Sequence, residues 1–325
     1  MGCRSVKQYT IAGSTSAAPA DLEETYWWYR ARKEIIADTI QRYLRPGSGI
    51  IDFGCGSGVI AKHLVDLGFK VLAADISEAA LAACRERGLD TLDLNHDWPA
   101  PASADCVLAC DLLEHVEDDV GLLRKLRLTL RSRGLLIAAV PAYDFLWSGE
   151  DYISDHVRRY NKSHLMNRVG QSGFNIEWCS YFNALLLPVV TAAVLYKRLF
   201  RPRDMYKTDV EPLPNWLNNI LYRIFANERA ILPRFRFPAG ASILLVARTA
   251  ALLDDSGTTG RSATGRTRET LERIPNAMSL TRTQMRPNQL PEPTADRQVN
   301  SLLMTKTLAP HFERVLGRGS SAPSR

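Results

Sequence analysis

Apolar positions fall into two alternating patterns between about residues 24 and 250. Short β-branched or apolar runs, the mark of buried strands, occupy 49–53, 70–75, 91–94, 105–111, 134–140, 174–182 and 241–248. Between them lie stretches whose apolar residues recur every three or four positions, as on one face of a helix. The first starts near Glu23, runs through Trp27, Trp28, Ala31, Ile35, Ile36 and Ile40, and stops at Pro46-Gly47. Others cover 59–67, 78–87, 120–130 and 162–170; Ser77 caps one, and Gly68 and Gly88 close two. This alternation predicts an α/β fold with a mostly parallel sheet and helices on both faces. Residues 142–161 read as an aromatic and charged loop. Residues 184–240 form an insert between the sixth and seventh strands: 184–196 carries no charge, and 216–232 is amphipathic.

Composition sharpens the ends of the chain more than its middle. Of the 75 residues from 251 to 325, thirteen are Leu, Ile, Val or Phe, below the one-fifth or so a packed core needs, so a disordered tail is expected there. Residues 1–23 read as a flexible arm and 24–250 as the folded domain. The net charge of +6 sits on the two ends, since 251–325 holds eleven Lys/Arg against seven Asp/Glu and residues 1–20 hold Arg4 and Lys7 with no acid. The near-neutral middle argues against a nucleic-acid partner. The six cysteines form no C-x-x-C pair and lie mostly in apolar runs, which suits reduced thiols in the cytoplasm. No secretory apolar core is present near Met1, and Val6 stands where a myristoylation signal needs Ser or Thr.

The densest chemistry lies at 49–58, Gly-Ile-Ile-Asp-Phe-Gly-Cys-Gly-Ser-Gly. A strand, a glycine turn and a helix N-terminus make a crevice where a nucleotide-sized ligand meets free N–H groups. A dinucleotide turn reads G-x-G-x-x-G, but here the third glycine comes one place early, at Gly58, and Val59 follows. Asp52, two residues before the first glycine, would repel a pyrophosphate and suits a ligand bearing an ammonium or sulfonium. No Gly-Lys-Ser/Thr follows, so the turn is not a P-loop.

The pattern Asp52-x-Gly54-x-Gly56-x-Gly58 resembles the first motif of class I S-adenosylmethionine-dependent methyltransferases. Asp75, seventeen residues after Gly58, is similar to the acid that holds the ribose hydroxyls in that family. The likeness covers about residues 24–250. It implies a Rossmann-like, seven-stranded, mostly parallel sheet with an antiparallel last strand, and S-adenosyl-L-methionine as cofactor. The implied cofactor-binding set is Asp52, Phe53, Gly54, Cys55, Gly56, Gly58, Asp75, Ile76, Asp93, Leu94 and Asp111. Residues 27–32 resemble the helix that covers the site. The run 111–116, Asp-Leu-Leu-Glu-His-Val, resembles an acid-x-x-Glu-His element of ubiquinone-pathway O-methyltransferases, which points to Glu114 and His115, with His156, as catalytic residues and to oxygen as the acceptor atom.

Several alternatives stand beside these readings. Asp111, Glu114 and His115 suit a divalent ion, but the reading without a metal is preferred, with His115 as a base or a brace. An anionic substrate group on Arg158 and Arg159 competes with a solvated charge run. The apolar stretch 184–196, trailed by Lys197, Arg198, Arg201, Arg203 and Lys207, is too short to span a bilayer. It suits either a buried cap or contact with the inner face of an anionic membrane through 184–207, and the acceptor is then small or lipid-linked. A nicotinamide-dependent oxidoreductase and a non-catalytic membrane-docking protein are the competing functions. Oligomeric state is left open.

Overall fold

A computed structural model describes residues 20–249. The flexible arm up to residue 19 and the disordered tail over 251–325 lie outside the described residues. Seven strands form one sheet in the order β3-β2-β1-β4-β5-β7-β6. They are β1 (Gly49–Phe53), β2 (Lys70–Asp75), β3 (Asp90–Asp93), β4 (Ala104–Cys110), β5 (Leu130–Pro141), β6 (Phe174–Phe182) and β7 (Ser242–Thr249). The first five run parallel, and β7 lies antiparallel between β5 and β6. Ile50, Phe53, Val107, Leu108 and Ile137 are buried in its centre, as a strand covered on both faces requires. The chain leaves β1 toward β2 on one side and returns to β4 on the other. That reversal opens a crevice at the C-terminal ends of β1 and β4.

The predicted first helix is two helices, α1 (Ala20–Thr25) and α2 (Trp27–Tyr43), so residues 20–23 of the predicted arm are helical. Tyr26 between them is extended. Helical periodicity continues across this point, and a distant side chain breaks it: Asn218 accepts from Trp27 N (2.8 Å) and donates to the Thr25 carbonyl (2.9 Å). The helices α3 (Val59–Asp66), α4 (Glu78–Glu86), α5 (Asp119–Thr129) and α7 (Lys162–Gln171) match the predicted positions within two residues. A short helix, α6 (Gly149–Ile153), interrupts the predicted loop, started by a Ser148–Asp151 capping box.

The insert holds α8 (Leu187–Phe200), α9 (Asn215–Ala226) and α10 (Glu228–Ile231). Thus α8 starts three residues into the uncharged stretch and runs on through Lys197 and Arg198. α9 packs along α2, with the Trp27 and Phe225 rings edge to face at 6.0 Å. Just beyond α9, Arg229 pairs with Glu34 and Asp38, each at 2.6 Å. Buried Glu228 accepts from the backbone N–H groups of Ala184 (2.7 Å) and Leu185 (2.8 Å), which fixes the entry to α8.

Candidate active site

The glycine turn after β1 is left-handed at Gly54, Gly56 and Gly58, with φ of +69°, +53° and +79°. The three glycines differ in what surrounds them. A Cβ on Gly58 would lie 2.7 Å from Cys84 Sγ and 2.8 Å from Leu89 Cδ1, so this glycine lets α4 pack beneath the turn. A Cβ on Gly56 would meet nothing within 4 Å. Its open side is the room a ligand needs. Asp75 braces the turn: one oxygen accepts from Gly56 N–H (3.1 Å) and the other from Ser77 N–H (2.9 Å). Asp52 is buried below. Burial, and then Asp75, push its carboxyl up to about 7, against the pull of Arg32.

A cavity of about 530 Å³ opens from the turn, lined at this end by Gly54, Cys55, Gly56 and Ser57. Trp28 and Arg32 of α2 form one wall. Arg32 is buried, and its guanidinium pairs with Asp111 at 2.7 Å. Burial opposes the Arg32 charge, but Asp111 and the other groups around it outweigh that and hold it firmly protonated. Asp111 stands just past β4 at φ +52°, a left-handed position that turns the chain into a 3-10 segment, Leu113–His115.

His115 and His156 meet edge to face at 4.6 Å on the next part of the wall. Two loops are tied together to make this contact. Val157 N–H donates to the Glu114 carbonyl (2.8 Å), and Tyr160 donates its hydroxyl to buried Asp119 (2.9 Å). Behind His156, the fully buried Asp151 accepts from His156 Nδ1 (2.7 Å) and takes both Arg159 Nε and Nη2 (2.7 Å each) and Ser148 N–H (2.6 Å). Although burial opposes it, these donors, His156 and Arg159 first, hold the Asp151 carboxyl down to about 2. An ionised Asp151 only accepts, so His156 Nδ1 donates to it, and Nε2 is the ring nitrogen that Asp151 does not engage. His115 is neutral; burial and then His156 lower it to about 4. Glu114 is fully buried, neither of its carboxylate oxygens has a hydrogen-bond partner, and burial followed by Asp111 raises it well above the carboxylate range. Ligand atoms of Glu114, His115 and His156 lie within 4.8 Å of one another.

Of the residues singled out on sequence, the cavity gathers Gly54, Cys55, Gly56, Asp111, Glu114, His115 and His156. Phe53 is in the core against Trp98, and Gly58 faces Cys84. Asp93 accepts from Asn95 and His96. Ile76 offers its carbonyl to Asn95 (2.7 Å), and Leu94 N–H donates to the Asp75 carbonyl (2.9 Å). The pair Arg158–Arg159 is not an open anion site. Arg159 is spent on Asp151 and the Ala142 carbonyl, and Arg158 on the Glu117 carbonyl and Asp119. Sequence reasoning assigned no site role to Arg32 or to Asp151 as the partner of His156. The signal for Arg32 was a charge at helical spacing from Trp28 on an otherwise apolar face.

A family model described as a methyltransferase domain matches residues 27–179. Over these residues the match, the sheet order and the glycine turn support a class I S-adenosylmethionine-dependent methyltransferase domain. The sheet order and the reversed β7 agree with that family's expected topology. A protein named a probable S-adenosylmethionine-dependent methyltransferase from Mycolicibacterium smegmatis is 27% identical over 49% of this chain and 63% of its own length. One of the same description from Mycobacterium tuberculosis is 26% identical over 54% and 65%. A ubiquinone biosynthesis O-methyltransferase from Methylocella silvestris is 32% identical over 34% and 48%. The chain thus spans less than two thirds of the length of each of these relatives. S-adenosylmethionine is the cofactor of the methyltransferase family, and the open, left-handed Gly56 beside the buried Asp52 and Asp75 fits it.

Proposed function

We propose that this domain binds S-adenosylmethionine on the turn 54–58 and methylates a hydroxyl group of a small or lipid-linked acceptor. The observation that carries the reading is the Asp151–His156 pair on the cavity wall that continues from the turn. The cofactor, when bound, supplies a methyl group activated on a sulfonium. Gly54 and Gly56 let the backbone approach it, Asp52 and Asp111 supply negative charge, and Asp75, Ile76, Asp93 and Leu94 serve its nucleoside side. His156 Nε2 takes the acceptor's hydroxyl proton, and Asp151 steadies the imidazolium that results. Trp28, Tyr29 and Leu146 keep water from this end of the cavity. Methyltransferase relatives, one of them named an O-methyltransferase, favour this reading over an oxidoreductase or a non-catalytic scaffold.

Incubation with methyl-labelled S-adenosylmethionine and separated soluble and lipid extracts tests it. Label is expected in a methyl ether. Label on nitrogen or carbon overturns the choice of oxygen, and no transfer despite tight S-adenosylhomocysteine binding favours the scaffold.

Asp52 makes binding pH-dependent. With its carboxyl at about 7, most Asp52 is protonated at about pH 6 and ionised at about pH 8, and a cationic ligand favours the ionised form. Affinity for S-adenosylmethionine is expected to rise across that interval by calorimetry, and Asp52→Asn to flatten the slope. A flat wild-type profile removes Asp52 from the binding set.

A second reading rests on the unpartnered Glu114 carboxylate beside His115 and His156, which suits a divalent ion that lowers the acceptor's pKa. It differs from the sequence-based trio by exchanging Asp111, which Arg32 engages, for His156. If it holds, chelator treatment abolishes turnover and added Mg²⁺ or Zn²⁺ restores it. Under the base reading turnover is indifferent to chelator.

A further inference from the structure

The insert helix α8 is built the wrong way round for a helix of a globular domain. Its inward side carries Val190, Val194 and Lys197, with Lys197 paired to Asp209 at 2.6 Å. Arg198, next to it, donates to the Trp147 carbonyl (2.8 Å). The opposite side is formed by Pro188, Val189, Ala192, Leu195, Tyr196, Leu199 and Phe200, all exposed and none charged. Leu199 and Phe200 are each 70% exposed. An amphipathic surface helix shows polar groups to water; here Lys197 turns inward with Val190 and Val194, an uncharged apolar face is exposed, and exposed Arg198 lies at its edge. Tyr206, in the segment after α8, and Trp216, at the start of α9, are likewise exposed, at 66% and 65%.

We infer that this face docks on the surface of an anionic lipid bilayer. Three observations select that occupant. The 14 residues of α8 span about 21 Å, too short to cross a hydrocarbon core of about 30 Å, so the helix lies on the surface. No helix among the described residues is long and apolar enough to cross a membrane. The C-terminal end of α8 and the segment before α9 carry Lys197, Arg198, Arg201, Arg203 and Lys207 against Asp204, Asp209 and Glu211, so an excess of cations flanks the apolar face. Exposed Trp216, Tyr206 and Tyr196 are the residue types that settle at a lipid headgroup boundary. A second copy of the chain on this face would set two such basic segments against each other.

The docked face also leads to the cavity. Val189 and Ala193 are exposed and at the same time line it, so its apolar end opens along the flank of α8. An acceptor with a hydrocarbon chain then enters from the lipid phase, its hydroxyl headgroup running inward to His156. This last point rests on the function proposed above, whereas the docking itself does not.

Flotation of the full chain with vesicles tests it. The chain is expected to float with vesicles containing phosphatidylglycerol and to stay down with phosphatidylcholine alone. The double variant Leu199→Glu/Phe200→Glu, and separately Arg201→Glu/Arg203→Glu, should lower the bound fraction about tenfold. None of these four residues lines the cavity, so both variants should keep wild-type affinity for S-adenosylhomocysteine, which shows that they fold. Failure to float while S-adenosylhomocysteine binds normally overturns the docking. So does a dimer by light scattering that Leu199→Glu/Phe200→Glu dissolves. Flotation by a chain that does not bind S-adenosylhomocysteine leaves the docking standing and removes the function proposed above.

Discussion

Gly56→Val should abolish S-adenosylhomocysteine binding while the domain remains folded. A Cβ at this position meets no protein atom within 4 Å, so the first atom of the new side chain enters open space. Its cost to folding is the left-handed backbone at φ +53°, about 1–3 kcal/mol for a non-glycine residue. A domain of ordinary stability survives that loss. The side chain instead fills the space the turn leaves open for a ligand. A loss of binding above about a hundredfold, or about 2.7 kcal/mol, is expected by calorimetry, together with a cooperative melt a few degrees below wild type. Gly58→Val is the internal control with the opposite balance, since it collides with Cys84 and Leu89 and should fail to fold. Retained binding in Gly56→Val would show that the cofactor does not lie on this turn.

His156→Ala should lower kcat by about 10²–10⁴, the usual contribution of a positioned base, and leave the affinity for S-adenosylmethionine unchanged. His156 is held from behind by Asp151, and its removal spares the Asp151–Arg159 pair on which the loop depends. Asp151→Asn is the harsher change. It leaves Arg159 without its carboxylate, and breaking a buried pair of this kind costs about 3–5 kcal/mol, so a lower Tm accompanies the loss of turnover. The pH dependence has a definite sign. The folded Asp151 carboxyl is depressed to about 2, so the stability it contributes is present above the unfolded value near 3.9 and is lost as the pH falls toward 2. A His156→Ala enzyme with unchanged kcat would leave proton removal to another group or to water.

The strands and the main helices were legible because their signals are local. Residues 49–53, 70–75 and 174–182 carry the apolar runs, and the glycines mark the turn by their spacing. The break at Tyr26 was illegible because its cause, Asn218, lies far along the chain. Residues 142–161 hid α6, whose start is fixed by a single Ser148–Asp151 box. At the site, the spacing of acids and glycines pointed to the turn and to Glu114 and His115. It did not show that His156 would stand 4.6 Å from His115 or that Asp151 would orient it, because three-dimensional closure of the loop 151–160 makes those contacts. Asp93 entered through the family resemblance alone; it ends β3, and its contacts with Asn95 and His96 depend on the turn that follows.

Asn218 has one more effect. It grips Thr25 on one side of the α1–α2 break and Trp27 on the other, and it belongs to the insert, whereas the glycine turn belongs to the sheet. Tyr26 and Trp27, which line the cavity, are therefore latched to α9. The two ends of the cavity have separate parentage. A change in the insert therefore reaches the cavity through α1 and α2, and can recut the wall they supply without altering the glycine turn itself.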